Sequence, residues 1–277
     1  MRAVIMRNQQ LVVDDLPIPD PGPGEVLVKT LACGICGSDI HALSHGQEFV
    51  DTSNRNGDIF DMDLSRDVVM GHEFCAEIVE HGVDTQGTLN AGTTVCAMPV
   101  LLRPSGARTI GYSNEHPGGY GEYMRLSESL LLAVPNGLTA DLAALTEPMA
   151  VGLHAVEKAR LENQDVPLVI GCGPVGLAVI AALKARDQRP IIAADYSSRR
   201  RELALTMGAD VAIDPAATSP YKSWTEAATI NDADRKPRAW QKGPLLRPAV
   251  IFECVGVPGV INQIMEQAPK HARIIVV

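Results

Sequence analysis

The chain has 277 residues, 46% of them hydrophobic and 4% aromatic, with 24 basic against 33 acidic side chains and a net charge of −9. That length accommodates about two domains of ~150 residues. The acidic balance and scarce aromatic rings disfavour a nucleic-acid surface, which needs a basic footprint or stacking platforms, and no apolar run approaches the ~20 residues that span a bilayer. The N-terminal apolar run is too short for a signal peptide, so a cytoplasmic protein without membrane partners is expected. Six cysteines (Cys33, Cys36, Cys75, Cys96, Cys172 and Cys254) are spread along the chain. Without an export signal they read as metal ligands or buried thiols and not as a disulfide framework.

The first 135 residues alternate short Val/Ile/Leu runs (RAVIM, EVLVKTLA, FCAEIVEHG and TTVCAM) with Gly- and Pro-rich turns. They predict a β-rich domain. Residues 44–66 carry Asp51, Asp58, Asp61, Asp63 and Arg66 and read as a solvated loop. Residues 138–161 space their apolar side chains helically, with Thr139 or Asp141 as the cap. From Val166 onward the runs PLVIG, PIIAAD, ADVAI, AVIFECVG and ARIIVV alternate with the helical segments PVGLAVIAALKAR, SRRRELALTMG and VINQIMEQAP. That alternation predicts a parallel sheet with crossover helices, an α/β domain. Residues 214–248 exceed an ordinary helix–strand connection, and Trp224 and Trp240 place a short helix within them.

Gly171-Cys172-Gly173-Pro174-Val175-Gly176 is a G-x-G-x-x-G turn between a predicted strand and helix. Gly171 permits the tight turn, Gly173 admits a pyrophosphate to the backbone, and Gly176 allows helix and sheet to pack closely. Asp195 follows 19 residues after Gly176, at the end of the next strand. A carboxylate there accepts from ribose hydroxyls and repels a 2′-phosphate, which favours NAD over NADP. Arg200 is a further candidate that softens this preference, with a solvated helix charge as its simpler reading. Cys254 and Val255, within the run AVIFECVG, complete the candidate cofactor-binding set.

Cys33-Gly34-Ile35-Cys36-Gly37-Ser38-Asp39-Ile40-His41 contains a C-x-x-C, but the chain has no second one. A four-cysteine structural knuckle is therefore poorly supported. His72 lies 36 residues beyond Cys36 with Glu73 next to it, and Glu147 precedes a proline near the domain junction. Thiolate, imidazole and carboxylate together make a three-ligand zinc site with one open position. Singly, each residue has a plain structural use as a buried thiol, a turn histidine or a helix acid.

The C-G-I-C-G-S-D-x-H block, Gly71-His72-Glu73, Gly118-Gly119-Tyr120-Gly121-Glu122-Tyr123, Glu147-Pro148 and the G-x-G-P-V-G fingerprint with Asp195 occur in one order along the whole chain. Together they resemble the zinc-dependent medium-chain dehydrogenases, the family of alcohol, polyol, threonine and sugar dehydrogenases. The resemblance implies a GroES-like zinc-binding catalytic domain over residues 1–145. It implies a Rossmann NAD-binding domain, a doubly wound parallel sheet, over residues 146–277. It assigns Cys36 and His72 as zinc ligands, with Glu147, Glu73 or water as the third. Asp39 would orient His72, and Cys33 would be a packed neighbour. Ser38 would touch the reacting oxygen and His41 would end the proton relay, although an exposed loop histidine is the competing reading of His41. The implied reaction moves a hydride from a primary or secondary alcohol or polyol to NAD and leaves an aldehyde or ketone.

Two departures from the family pattern follow. Residues 98–117 contain no cysteine, so one catalytic zinc and no structural zinc is expected, with a dimer or tetramer as the assembly. The chain ends at a fifth predicted strand where the fold has six, so the Rossmann domain is expected to be incomplete at its C-terminal end. A zinc-free quinone or enone reductase and a non-enzymatic NAD-binding module are the competing readings.

Overall fold

Apolar side chains at every second position make strands, and here they make two kinds of sheet in two units, Met1–Glu147 and Pro148–Val277. The structure, a computed structural model, describes residues 1–57, 60, 62–104, 106–230 and 244–277.

In the first unit β1 (Arg2–Arg7) and β2 (Gln10–Asp15) form an antiparallel hairpin. Strand β3 (Glu25–Cys33) is followed by α1 (Gly37–Ser44) and α2 (Gly46–Arg55). Then come β4 (Phe74–His81), β5 (Thr94–Ala97), β6 (Val100–Arg103), β7 (Gly106–Thr109), β8 (Tyr123–Ser127) and β9 (Leu131–Ala133). Five of these strands form an antiparallel sheet in the order β8-β3-β4-β5-β9. Its inward faces pack Val26, Val28, Phe74, Ala76, Ile78, Val95, Met124 and Leu126 into one core. The β6–β7 hairpin is tied back by Arg103, which donates to the buried Glu25 at 2.7 Å, while Arg125 lies 3.8 Å from the other Glu25 oxygen.

The solvated loop expected over residues 44–66 is instead partly helical, as α2. Gly, Thr, Ser, Asn and Asp are weak helix formers, so propensity hid it. Packing supports it: Phe49, Val50, Phe60 and Leu64 lie against Met6, Ala42, Met62, Val68, Met70 and Tyr112. Asp51 accepts from Gln47 on the exposed side, Asp63 accepts from Ser65, and Arg66 pairs with Glu115. Asp58 and Asp61 lie outside the described residues.

The single helix expected over residues 138–161 is two, α3 (Ala140–Ala143) and α4 (Thr146–Ala159). Pro148 has no N–H to give the Ala144 carbonyl, which breaks helical continuity there. Thr139 is the N-cap of α3 but makes no side-chain cap bond.

In the second unit the strands are β10 (Val166–Ile170), β11 (Ile192–Ala194), β12 (Val211–Ile213), β13 (Ala249–Glu253) and β14 (Arg273–Val276). All pair in parallel, in the order β12-β11-β10-β13-β14. The helices are α5 (Pro174–Ala185), α6 (Ser198–Met207), α7 (Pro220–Ala228) and α8 (Val260–Gln267). Val169, Val250 and Phe252 face α4, α5 and α6, and Leu168 and Ile251 face Trp224 and Ile264 on the other side. This is the Rossmann pattern, both sheet faces covered by helices. Helix α7 lies in the long 214–248 segment as expected, with Trp224 buried; Trp240 lies outside the described residues. No helix among the described residues is long and apolar enough to cross a membrane.

Candidate active site

The β3–β4 pairing ends at Cys33 opposite Phe74, and the Gly34 amide donates to the Glu73 carbonyl at 2.7 Å. This sets the start of α1 against the residues that lead into β4. Cys36 is the N-cap of α1, and His72 and Glu73 immediately precede β4. Gly34 carries no Cβ where one would overlap the Glu73 carboxylate. Gly71, at φ 96°, turns the chain where a Cβ would strike Tyr120 and the Cys33 sulfur.

The ligating atoms of Cys36, His72 and Glu73 all lie within 4.8 Å of one another. His72 is 8% exposed and Glu73 7%. Burial opposes a charge on His72, but Asp39 and the Cys36 sulfur raise its pKa to about 10. Burial pushes the Glu73 carboxyl up. Three donors of this kind, half starved of water, suit a divalent cation, and a thiolate–imidazole–carboxylate set suits zinc.

Behind the donors, Asp39 is 2% exposed. One of its oxygens accepts from the Tyr112 hydroxyl at 3.0 Å and lies 3.4 Å from His72 Nδ1, an ion-pair distance without hydrogen-bond geometry. The other accepts from the Cys36 amide at 3.1 Å and the Tyr120 hydroxyl at 2.9 Å. Burial opposes ionisation of Asp39, yet His72 and the two tyrosines hold its carboxyl below the usual range.

Ser38 Oγ sits 2.8 Å from the Tyr112 hydroxyl. His41 is exposed and stacks on His45 at 4.8 Å. Glu147 is outside the three-donor cluster, although burial and the nearby Glu73 and Asp39 raise its pKa despite His72. Cys33 packs beneath Gly71 and Gly119, and burial pushes its thiol up to about 12. Tyr112 escapes sequence reasoning because its partners Ser38 and Asp39 are more than seventy residues upstream. No local signal marks it.

In the second unit the fingerprint turn joins β10 to α5, with Gly173 as N-cap and Pro174 in the first turn. Gly171 has φ 92°, a Cβ on Gly176 would overlap the Gly171 carbonyl, and a Cβ on Gly173 would meet nothing within 4 Å. That open ground at a helix N-terminus is a cradle that fits a pyrophosphate. A cleft of about 680 Å³ is lined by Gly171, Asp195, Tyr196, Arg200, Tyr221 and Val255, among others. Gly173, Pro174, Val175, Gly176 and Cys254 are not among its lining residues; Cys254 is a half-buried thiol whose pKa burial pushes up to about 12. Asp195 accepts from the Cys172 and Ser197 amides, each at 2.8 Å. Arg200, read more simply as a solvated helix charge, lines the cleft 3.8 Å from Asp195. Sequence reasoning passed over Glu253, which is buried and accepts from the Val255 and Gly256 amides.

Residues 22–136 match the family model of the alcohol dehydrogenase GroES-like domain, and residues 174–277 that of the zinc-binding dehydrogenases. The chain is 30% identical to (R,R)-butanediol dehydrogenase of Bacillus subtilis, a match covering 100% of this chain and 77% of that enzyme. It is 32% identical to sorbitol dehydrogenase of the same organism, over 76% of this chain and 60% of that one. A zinc-binding dehydrogenase of Sinorhizobium meliloti solved with NADP superposes with a TM-score of 0.76 at 25% identity, covering 99% of this chain and 75% of the other.

Proposed function

The chain belongs to the zinc-binding medium-chain dehydrogenases, and we propose that it oxidises a secondary alcohol or polyol to a ketone, or a primary alcohol to an aldehyde, with NAD as hydride acceptor. The observation that carries this is the convergence of Cys36, His72 and Glu73 beside the Ser38 hydroxyl. Zinc held there would supply the polarisation that lets an alcohol lose its proton near neutral pH, and NAD would supply the hydride acceptor. Cys36 and His72 would hold the metal, with Glu73 as the third ligand and Glu147 as the alternate. Asp39 fixes the ring of His72 so that Nε2 is free for the metal. Ser38 Oγ would position the substrate hydroxyl and take its proton as its own hydroxyl proton moves outward, with His41 as the outer group that releases a proton to water. The GroES-like region, residues 1–145, would supply these groups apart from Glu147, which lies just beyond it.

Residues 146–277 would hold the dinucleotide, with the pyrophosphate against Gly171, Gly173, Pro174, Val175 and Gly176. Asp195 would accept from the ribose hydroxyls, flanked by Arg200, Cys254 and Val255. A carboxylate at that place supports NAD over NADP. Six unpaired thiols fit a reducing cytoplasm, where the reading has the protein act as a homo-oligomer, dimer or tetramer, on a small molecule. Residues 98–117 offer no cysteine, which supports a single zinc.

Elemental analysis of protein purified without added metal, paired with NAD reduction on 2,3-butanediol and sorbitol, tests the reading. About one zinc per chain and activity that Cys36→Ser abolishes are expected. Alcohol oxidation by zinc-free protein would overturn it. Asp195→Ala should raise the KM for NAD more than it lowers kcat; an unchanged NAD/NADP preference would remove Asp195 from that role.

A further inference from the structure

We infer that the dinucleotide cleft reads the edge of the cofactor's base through Gln263 and Gln267, so that the chain takes adenine dinucleotides and discriminates against those whose adenine edge is altered. The inference rests on the function proposed above and adds a base specificity to its cofactor site.

Gly171, Asp195, Gln263 and Gln267 line one cleft of about 680 Å³, within the range of ~300–1,000 Å³ usual for sites that enclose a small molecule. A pyrophosphate at the glycine turn and ribose hydroxyls at Asp195 use one part of this lining and leave the rest for the base. Much of that remainder is apolar: Pro215, Pro220 and Tyr221 follow β12, and Val257, Pro258 and Val260 follow β13. Such surfaces cover the flat faces of a purine and gain apolar burial. They offer nothing to its edge, where an amino group and ring nitrogens would lose water without finding partners, which costs affinity.

Helix α8 supplies those partners. Val260, Gln263 and Gln267 stand at i, i+3 and i+7 on one stripe of the helix, and all three line the cleft. Ile264, beside that stripe, is fully buried in the core with Leu168 and Ile251, which fixes the face that α8 turns to the cleft. Packing does not call for an amide at either glutamine, since both are exposed. Each amide presents one donor beside one acceptor. That pattern complements adenine N6 and N7, the pairing by which glutamine reads adenine in nucleic acids. The amino group N6 carries a second hydrogen on its N1 side, so the amide one helical turn along meets the same pattern there. Arg200 belongs to the ribose end, 3.8 Å from the Asp195 carboxylate, and leaves the base edge to the glutamines.

The test measures dissociation constants of the full chain for NAD and for nicotinamide 1,N6-ethenoadenine dinucleotide by isothermal titration calorimetry. The etheno bridge substitutes N1 and removes the hydrogens of N6, and it leaves the pyrophosphate, riboses and nicotinamide as they are. NAD should bind at least ~10-fold tighter, the scale of a two-bond pair between an amide and adenine. Gln263→Leu with Gln267→Leu keeps the side-chain volume and removes donor and acceptor, which separates pairing from the size of the base. This double variant should bind NAD about 10-fold more weakly, hold the etheno analogue within about twofold of the parent, and so bring the ratio close to one. Where leucine prevents folding, Gln263→Glu with Gln267→Glu keeps the shape, sets acceptors against the acceptors N1 and N7, and should still reduce the ratio. Equal binding of the two dinucleotides by the parent overturns the inference, as does parent-like NAD affinity in the folded leucine variant. NAD bound without base preference defeats this inference and leaves the proposed function standing; no binding of NAD at all defeats both.

Discussion

Asp39→Asn keeps the shape of the side chain and changes only what its atoms can accept. Three donors converge on the carboxylate, the Cys36 amide and the hydroxyls of Tyr112 and Tyr120, and His72 Nδ1 lies at an ion-pair distance of 3.4 Å. An amide replaces one acceptor oxygen by a donor. If its nitrogen takes the place near Cys36, that backbone N–H is orphaned, because it cannot turn as the Tyr120 hydroxyl can. One buried donor left without a partner costs about 1–3 kcal/mol. If the nitrogen instead faces His72, Nδ1 must become the acceptor, and the ring proton moves to Nε2, the nitrogen needed by a metal. Either arrangement weakens zinc binding by about 10–100-fold, the usual cost of disturbing a partner that orients a ligand. Zinc affinity is read by competition with a chromophoric chelator, and stability by the urea midpoint of the metal-free protein. Zinc affinity within about twofold of the parent, with an unmoved midpoint, would refute the claim that Asp39 organises this site.

Gly176→Ala drives a methyl group into the Gly171 carbonyl, so thermal stability should fall by about 1–3 kcal/mol and NADH affinity with it; fluorescence titration checks the second effect. Trp224 is fully buried and donates to the Val166 carbonyl at 2.9 Å. Trp224→Ala should therefore cost about 3–5 kcal/mol in denaturant unfolding. Burial, with Arg103 and Arg125 nearby, holds the pKa of His116 below its ordinary value. The unfolded chain therefore takes up this proton first, and stability falls as pH drops below ~6.5. His116→Gln should flatten the stability slope between about pH 7 and pH 5.

What could be read from the sequence was what repeats locally. The runs that became β10 through β14 are short, apolar and punctuated, and G-x-G-x-x-G is a single turn whose glycines each have a steric reason. Cys36, His72 and Glu73 were found through their motifs, yet their meeting depends on where β3 stops pairing with β4, which spacing does not encode. Helix α2 was missed because its side chains are poor helix formers and tertiary packing supplies the stability. The division between α3 and α4 was missed because one apolar stripe runs through both, although Pro148 carried the signal. Tyr112 had no local signal at all.

The strand order of the second sheet has a consequence in time. The fingerprint turn at Gly171 is built by β10, but the far wall of its cleft, at Val255, follows β13, which pairs with β10 from Val166–Ala249 to Ile170–Glu253. A chain emerging from the ribosome presents the glycines, β11 and Asp195 long before it presents that wall. Between those moments β10 has one of its two neighbours, and its other edge exposes unpaired backbone groups beside Leu168 and Val169. This cleft is therefore completed only once β13 has been made, and until β13 docks, the strand at the centre of the sheet is an edge strand.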